Sequence, residues 1–112
     1  MKDIKFEILK KYWGYEKFRP LQEEIIDQVV LKKDLLALLP TGGGKSICYQ
    51  LPALLCEGIC LVISPLIALM QDQVVQLKKI GINAELINSS IDHKNIDRIL
   101  DNCIYGRVKL LY

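Results

Sequence analysis

An apolar run, Leu35-Leu36-Ala37-Leu38-Leu39, meets Pro40-Thr41-Gly42-Gly43-Gly44-Lys45-Ser46, and that junction constrains the fold more than any other stretch. The run reads as a buried strand and the residues after Lys45 as a helix. Consecutive glycines between them let backbone N–H groups turn around a polyphosphate with no Cβ in the way. Lys45 is then the cation that reaches β- and γ-phosphates, and the Ser46 hydroxyl is a ligand for Mg²⁺. The following helix adds its positive dipole end. The strict pattern asks for glycine five residues before Gly44, where this chain has Leu39. The plainer alternative is a glycine-rich turn with Ser46 as an ordinary cap, although such a turn needs fewer glycines.

A chain of 112 residues makes at most one modest domain. It can bury roughly 65% of its unfolded surface, enough for one core. Fifteen basic against thirteen acidic residues leave +2, too little to argue for or against nucleic acid. Cys56 and Cys60 are four apart, but no matching pair of Cys or His follows, so buried thiols are expected rather than zinc. Nothing asks for an oxidising compartment. The N-terminus shows no secretory signal, and the apolar stretch from Leu51 to Ser64, broken by Glu57 and Gly58, is too short for a bilayer. The expectation is an intracellular protein with no membrane partner.

Ile4, Ile8, Leu9, Tyr12 and Trp13 recur at helical spacing, and Gly14 ends the pattern. A second helix starts near Pro20, with Leu21, Ile25, Ile26, Val29 and Val30 on its apolar face. Leu35–Leu39 is the first expected strand and about Lys45 to Leu55 the next helix. Cys60-Leu61-Val62-Ile63 is a second strand, and Leu66 to Lys79 a helix with Leu66, Leu69, Met70, Gln73, Val74 and Leu77 on one side. Ala84–Asn88 is a short strand. A helix follows from Asp92, its N-cap, to Cys103, and Val108–Tyr112 is the fourth strand. Strands alternating with helices imply an α/β fold with a mostly parallel sheet covered by helices on both faces.

Four blocks together resemble the RecQ family of superfamily 2 DNA helicases. They are Gly14-Tyr15-Glu16-Lys17-Phe18-Arg19-Pro20-Leu21-Gln22, then Leu39 to Ala53 around the glycine loop, then Val62-Ile63-Ser64-Pro65 through Val74, and, more faintly, Leu86-Ile87-Asn88-Ser89-Ser90. In that family an apolar residue commonly stands where Leu39 does. Phe18-Arg19-Pro20-Leu21-Gln22 before the loop and Cys48-Tyr49-Gln50 behind it narrow the likeness from superfamily 2 at large to RecQ.

The resemblance implies a partial RecA-like P-loop NTPase domain and an ATP-dependent helicase of 3′-to-5′ polarity, active in DNA repair and recombination. ATP and Mg²⁺ are its implied cofactors, with Tyr15, Arg19, Gln22, Thr41, Gly42, Gly43, Gly44, Lys45 and Ser46 as nucleotide contacts. Lys45 is also the catalytic residue, and Ser46 holds Mg²⁺. Gln22 has a donor and an acceptor to pair with the adenine edge, while Tyr15 and Arg19 offer faces to the purine. Otherwise, Tyr15 and Phe18 clamp a loop onto the core and Gln22 is a solvated helix residue. Ser64, Gln71 and Gln73 are the implied contacts to single-stranded DNA; the alternative is a plain strand-to-helix turn. His93, Lys10, Lys11, Lys78 and Lys79 read as solvated. Glu23, Glu24 and Asp27 read as helix surface.

A RecQ helicase also needs an acidic motif II, a second RecA-like domain with an arginine finger, and usually a zinc module, and this sequence contains none of them. Residues 1–112 therefore read as the N-terminal part of helicase RecA-like domain 1, cut before motif II and inactive alone. Single-stranded and forked DNA are the implied partners of the parent. An exposed Leu35–Leu39 edge would make the piece self-associate. The implied location is cytoplasmic, with the nucleoid if the source is bacterial. The rivals are a non-catalytic nucleotide- or DNA-binding module and a small P-loop kinase, the latter disfavoured by the adenine block.

Overall fold

Helix ends are where this chain's local chemistry shows first, and Gly14 is the clearest. The computed structural model describes residues 2–39 and 44–112. In it α1 (Lys2–Ile8) runs into a π-helical segment, Leu9–Trp13. Gly14 then turns left-handed, φ 76, and its N–H donates to the carbonyls of Leu9 at 3.1 Å and Lys10 at 3.0 Å. That conformation is free for glycine and costly for other residues. Thr41, Gly42 and Gly43, expected at the phosphates, lie outside the described residues.

The chain divides into two units, Met1–Glu57 and Gly58–Tyr112. The first adds α2 (Gln22–Val30) and α3 (Ile47–Leu55). Leu9, Ile26, Ile47 and Leu51 form its buried core, with Ile8, Trp13, Phe18, Val30 and Leu55 packed around them. Each such side chain taken from water contributes about 1.5–3 kcal/mol. Phe18 belongs to this packing, its ring centroid 5.1 Å from that of Phe6, so it clamps the loop onto the helices as the plainer reading had it.

The expected apolar face holds at Ile8, Leu9 and Trp13, which join the core, and departs at its first residue. Ile4 is 44% exposed, whereas Lys5 is buried at 4%. The Lys5 ammonium donates to Asp27 Oδ1 at 2.7 Å and pairs with Glu23 Oε2 at 2.6 Å. Burial alone would pull its pKa down, but the hydrogen bonds from Lys5 to Asp27 and Glu23 outweigh it and hold the pKa above 10.5. A buried cation must be paired, and here the pairing ties α1 to α2. Glu23 and Asp27 are thus anchors for Lys5 rather than plain surface. Lys5→Met leaves the two carboxylates facing each other and is expected to cost about 1–2 kcal/mol at neutral pH, read as a lower urea midpoint. Because the folded pKa is raised, this stabilisation is complete below 10.5 and is lost only as pH rises through the folded value. Equal midpoints at pH 7 for wild type and variant would refute the anchor.

Leu35–Leu39 is not a strand. No ladder hydrogen bond reaches it among the described residues, and Leu36 and Leu38 are 85% and 81% exposed. The composition is right for a strand, but a strand exists only against a neighbour, and among its described residues the first unit supplies helices alone.

The second unit contains β1 (Cys60–Leu61), α4 (Ile67–Lys79), β2 (Ala84–Glu85), α5 (His93–Ile104) and β3 (Leu110–Leu111). The sheet order is β1-β3-β2 and both pairings are parallel, with Leu110 opposite Cys60 on one side and Ala84 on the other. Hydrogen bonds continue past the formal ends, from Val62 N–H to Leu111 O at 2.8 Å and from Ile87 N–H to Tyr112 O at 3.0 Å. The expected strands are therefore present but shorter. Asp92 caps α5, its Oδ1 accepting from the Asn95 N–H at 2.9 Å. On α4 the buried residues are Met70, Val74 and Leu77, while Leu66 and Leu69 face solvent. Parallel strands joined through helices give the α/β class expected. No helix among the described residues is long and apolar enough to cross a membrane.

Candidate nucleotide and nucleic-acid site

Residues Arg19 to Gln22 close a turn in which the Gln22 N–H donates to the Arg19 carbonyl at 3.1 Å, and α2 starts from it. Pro20 therefore precedes the helix instead of lying in its first turn. The Gln22 side chain folds back over this turn. Its Oε1 accepts from the Arg19 N–H at 2.8 Å, and its Nε2 donates to the Gly44 carbonyl at 3.0 Å. Gln22 is buried rather than solvated, and a buried amide must find partners of this kind.

Gly44 is left-handed, φ 75, and a Cβ placed there would run into Gln22 Nε2 and come to 3.5 Å from Arg19 Cδ. Arg19, Gln22 and Gly44 are therefore one cluster, drawn from two separated blocks of sequence. A carboxamide has two acceptor lone pairs and two N–H bonds. Among the described residues Gln22 spends one of each, leaving one of each.

Lys45 is exposed at the start of the turn into α3. The Ser46 carbonyl accepts from Gln50 N–H at 2.9 Å, but among the described residues its side chain makes no capping hydrogen bond. Among the described residues its hydroxyl is therefore not spent as a cap. Tyr15 is 54% exposed, and no hydrogen bond or ring contact joins it to the cluster among the described residues.

Cys48 was missed in the sequence. Its Sγ lies 3.8 Å from the Gly44 carbonyl, which thus has two donors. The signal was its helical spacing of four from Gly44. Burial raises the Cys48 thiol pKa, so it stays protonated as a weak donor. All four cysteines are free thiols, and only Cys48 is fully buried; Cys56, Cys60 and Cys103 are half-buried. Burial and then the Glu85 charge raise the Cys103 thiol as well.

The expected nucleic-acid contacts separate into different environments. Ser64 Oγ accepts from the Leu66 N–H at 3.2 Å, shaping the approach to α4. Gln71 is exposed. Gln73 is half-buried and its Oε1 accepts from the Tyr112 hydroxyl at 2.7 Å, so its carbonyl faces the unit's interior.

A model of the DEAD/DEAH box helicase family matches residues 19–112, a span that includes Gln22, the glycine loop and α4. The chain belongs to the DEAD/DEAH box helicase family. Among its relatives, the ATP-dependent DNA helicase RecQ of Bacillus subtilis is 50% identical over 106 residues, 94% of this chain and 18% of that protein. The same-named protein of Synechocystis is 47% identical over 106 residues, 95% of this chain and 22% of its own length. That of Pasteurella multocida is 46% identical over 112 residues, 100% of this chain and 18% of its own. The chain thus spans about a fifth of the curated helicases it matches, and its fold is that of a partial RecA-like domain of this family.

Proposed function

We propose that residues 1–112 form the N-terminal part of the first RecA-like domain of a RecQ-type ATP-dependent DNA helicase, an intracellular enzyme of DNA repair and recombination that separates strands 3′ to 5′. The observation that carries this reading is the half-spent amide of Gln22 beside Gly44. Adenine's edge presents one donor and one acceptor, and among the described residues Gln22 keeps one acceptor and one N–H to meet them. Arg19 and Tyr15 supply faces for the purine. The glycine loop through Thr41, Gly42, Gly43 and Gly44 wraps the phosphates, Lys45 neutralises them, and Ser46 is the chain's ligand for Mg²⁺. Mg²⁺, if held there, would supply neutralisation of the phosphate charge.

Nucleic acid falls to the second unit, with Ser64 and Gln71 at the start of α4 and Gln73 holding the helix from within. Single-stranded and forked DNA are the substrates of the whole enzyme in this reading. In the full-length protein, Gln22→Ala is expected to weaken ATP by about 1–3 kcal/mol more than it weakens GTP, because only adenine matches the lost amide. Calorimetric titration of both nucleotides is the check. Equal losses would make Gln22 a structural bracket only.

A further inference from the structure

Leu21 is a bulky residue in the left-handed region, φ 73 and ψ −18. Apart from glycines, only Lys32 shares that sign of φ among the described residues. A leucine there carries a strain equivalent to about 5- to 30-fold in an equilibrium. The surrounding turn has the features of type II: Pro20 second, a positive φ third, and closure from Gln22 N–H to Arg19 O at 3.1 Å. Glycine is the residue this turn favours at its third position. Leu21 is 48% exposed and is not among the buried core residues of this unit.

What holds it is the Gln22 amide. Arg19 N–H donates to Gln22 Oε1 at 2.8 Å across the turn, and Nε2 fixes the other end on Gly44 O at 3.0 Å. If Leu21 relaxed to negative φ, the Arg19 N–H and the Gln22 side chain would turn apart. We propose that Leu21 is a positioning residue for nucleotide recognition: its strained turn and the amide bracket hold each other, so that Arg19 and Gln22 are set against Gly44 as one unit. The proposal rests on the nucleotide reading of Arg19 and Gln22 above. With leucine at 21, losing the amide releases the turn and displaces Arg19 as well. With glycine there, the turn survives without the amide and Arg19 stays in place.

The test is a double-mutant cycle in the full-length protein with Leu21→Gly and Gln22→Ala, and Leu21→Ala as a control that loses the side chain but keeps the strain. Binding of the β,γ-imido analogues of ATP and GTP is read by calorimetry, and Tm without nucleotide. Leu21→Gly is expected to raise Tm by about 2–4 °C in the wild-type background, to raise it less beside Gln22→Ala, and Leu21→Ala not to raise it. Leu21→Gly is also expected to restore about 5-fold or more of the affinity lost in Gln22→Ala. Identical effects of Leu21→Gly in both backgrounds overturn the proposal, as does a rise in Tm with Leu21→Ala equal to that with Leu21→Gly. Failure of the underlying nucleotide reading looks different: Gln22→Ala then changes neither affinity while the Tm values remain coupled. That result removes the recognition role, whereas additive Tm values remove the coupled turn.

Discussion

Lys45→Ala in the full-length protein is expected to lower ATPase and unwinding rates by at least ~100-fold. A loss of that size is about 2.7 kcal/mol of transition-state stabilisation, which is what one well-placed donor commonly supplies. Negative charge builds on the transferring phosphoryl group and its leaving oxygens, and in the proposed reading Lys45 is the cation that meets it. The fold should not suffer, because the Lys45 side chain is exposed and outside the core of the first unit. A Tm within a degree or two of wild type, together with the lost turnover, separates chemistry from unfolding. A variant that hydrolyses ATP at a near-normal rate would sink the assignment of Lys45.

The second large effect concerns residues 1–112 purified alone. Leu36 and Leu38 stand 85% and 81% exposed on an apolar run with no strand beside it among the described residues. Such a run is a template for pairing with another copy. Residues 1–112 span 18–22% of the RecQ helicases named above, and in the proposed reading hydrolysis also draws on an acidic motif II and a second RecA-like domain. The isolated piece is therefore expected to self-associate through Leu35–Leu39 and to show no ATP hydrolysis above background. Sedimentation at several concentrations and a phosphate-release assay read the two effects. A stable monomer turning over ATP in a Lys45-dependent manner would overturn the reading of the chain as part of a catalytic domain.

Local signals were legible wherever one residue decides the backbone. Gly14 ends the first helix and Asp92 starts the last because a left-handed stop and an N-cap acceptor act within a turn. The parallel α/β class followed from alternation of period. Partners far along the chain were less visible. Lys5 was hidden because a lysine at the edge of an apolar stripe looks solvated until two carboxylates on another helix claim it. Leu35–Leu39 looked like a strand because apolar content and strand formation usually coincide, and here the pairing partner is missing from the described residues. The face of α4 was overestimated, since Leu66 and Leu69 share a helical stripe with Met70 but face outward. At the candidate site, the pattern named Gln22 and Gly44 separately, and only geometry shows that they bond to each other.

The order β1-β3-β2 has a consequence for how the second unit is made. The two strands synthesised first never touch; each bonds only to the strand synthesised last. On a ribosome, Cys60–Leu61 and Ala84–Glu85 emerge with no ladder to join and must wait, with α4 and α5 already able to coil, until Leu110–Leu111 slides between them. Every sheet contact in this unit is thus long-range, which favours slow assembly and a late, cooperative closing step. During that wait α4's apolar side, Met70, Val74 and Leu77, has no sheet to cover, so a nascent chain paused there is the form most in need of a chaperone.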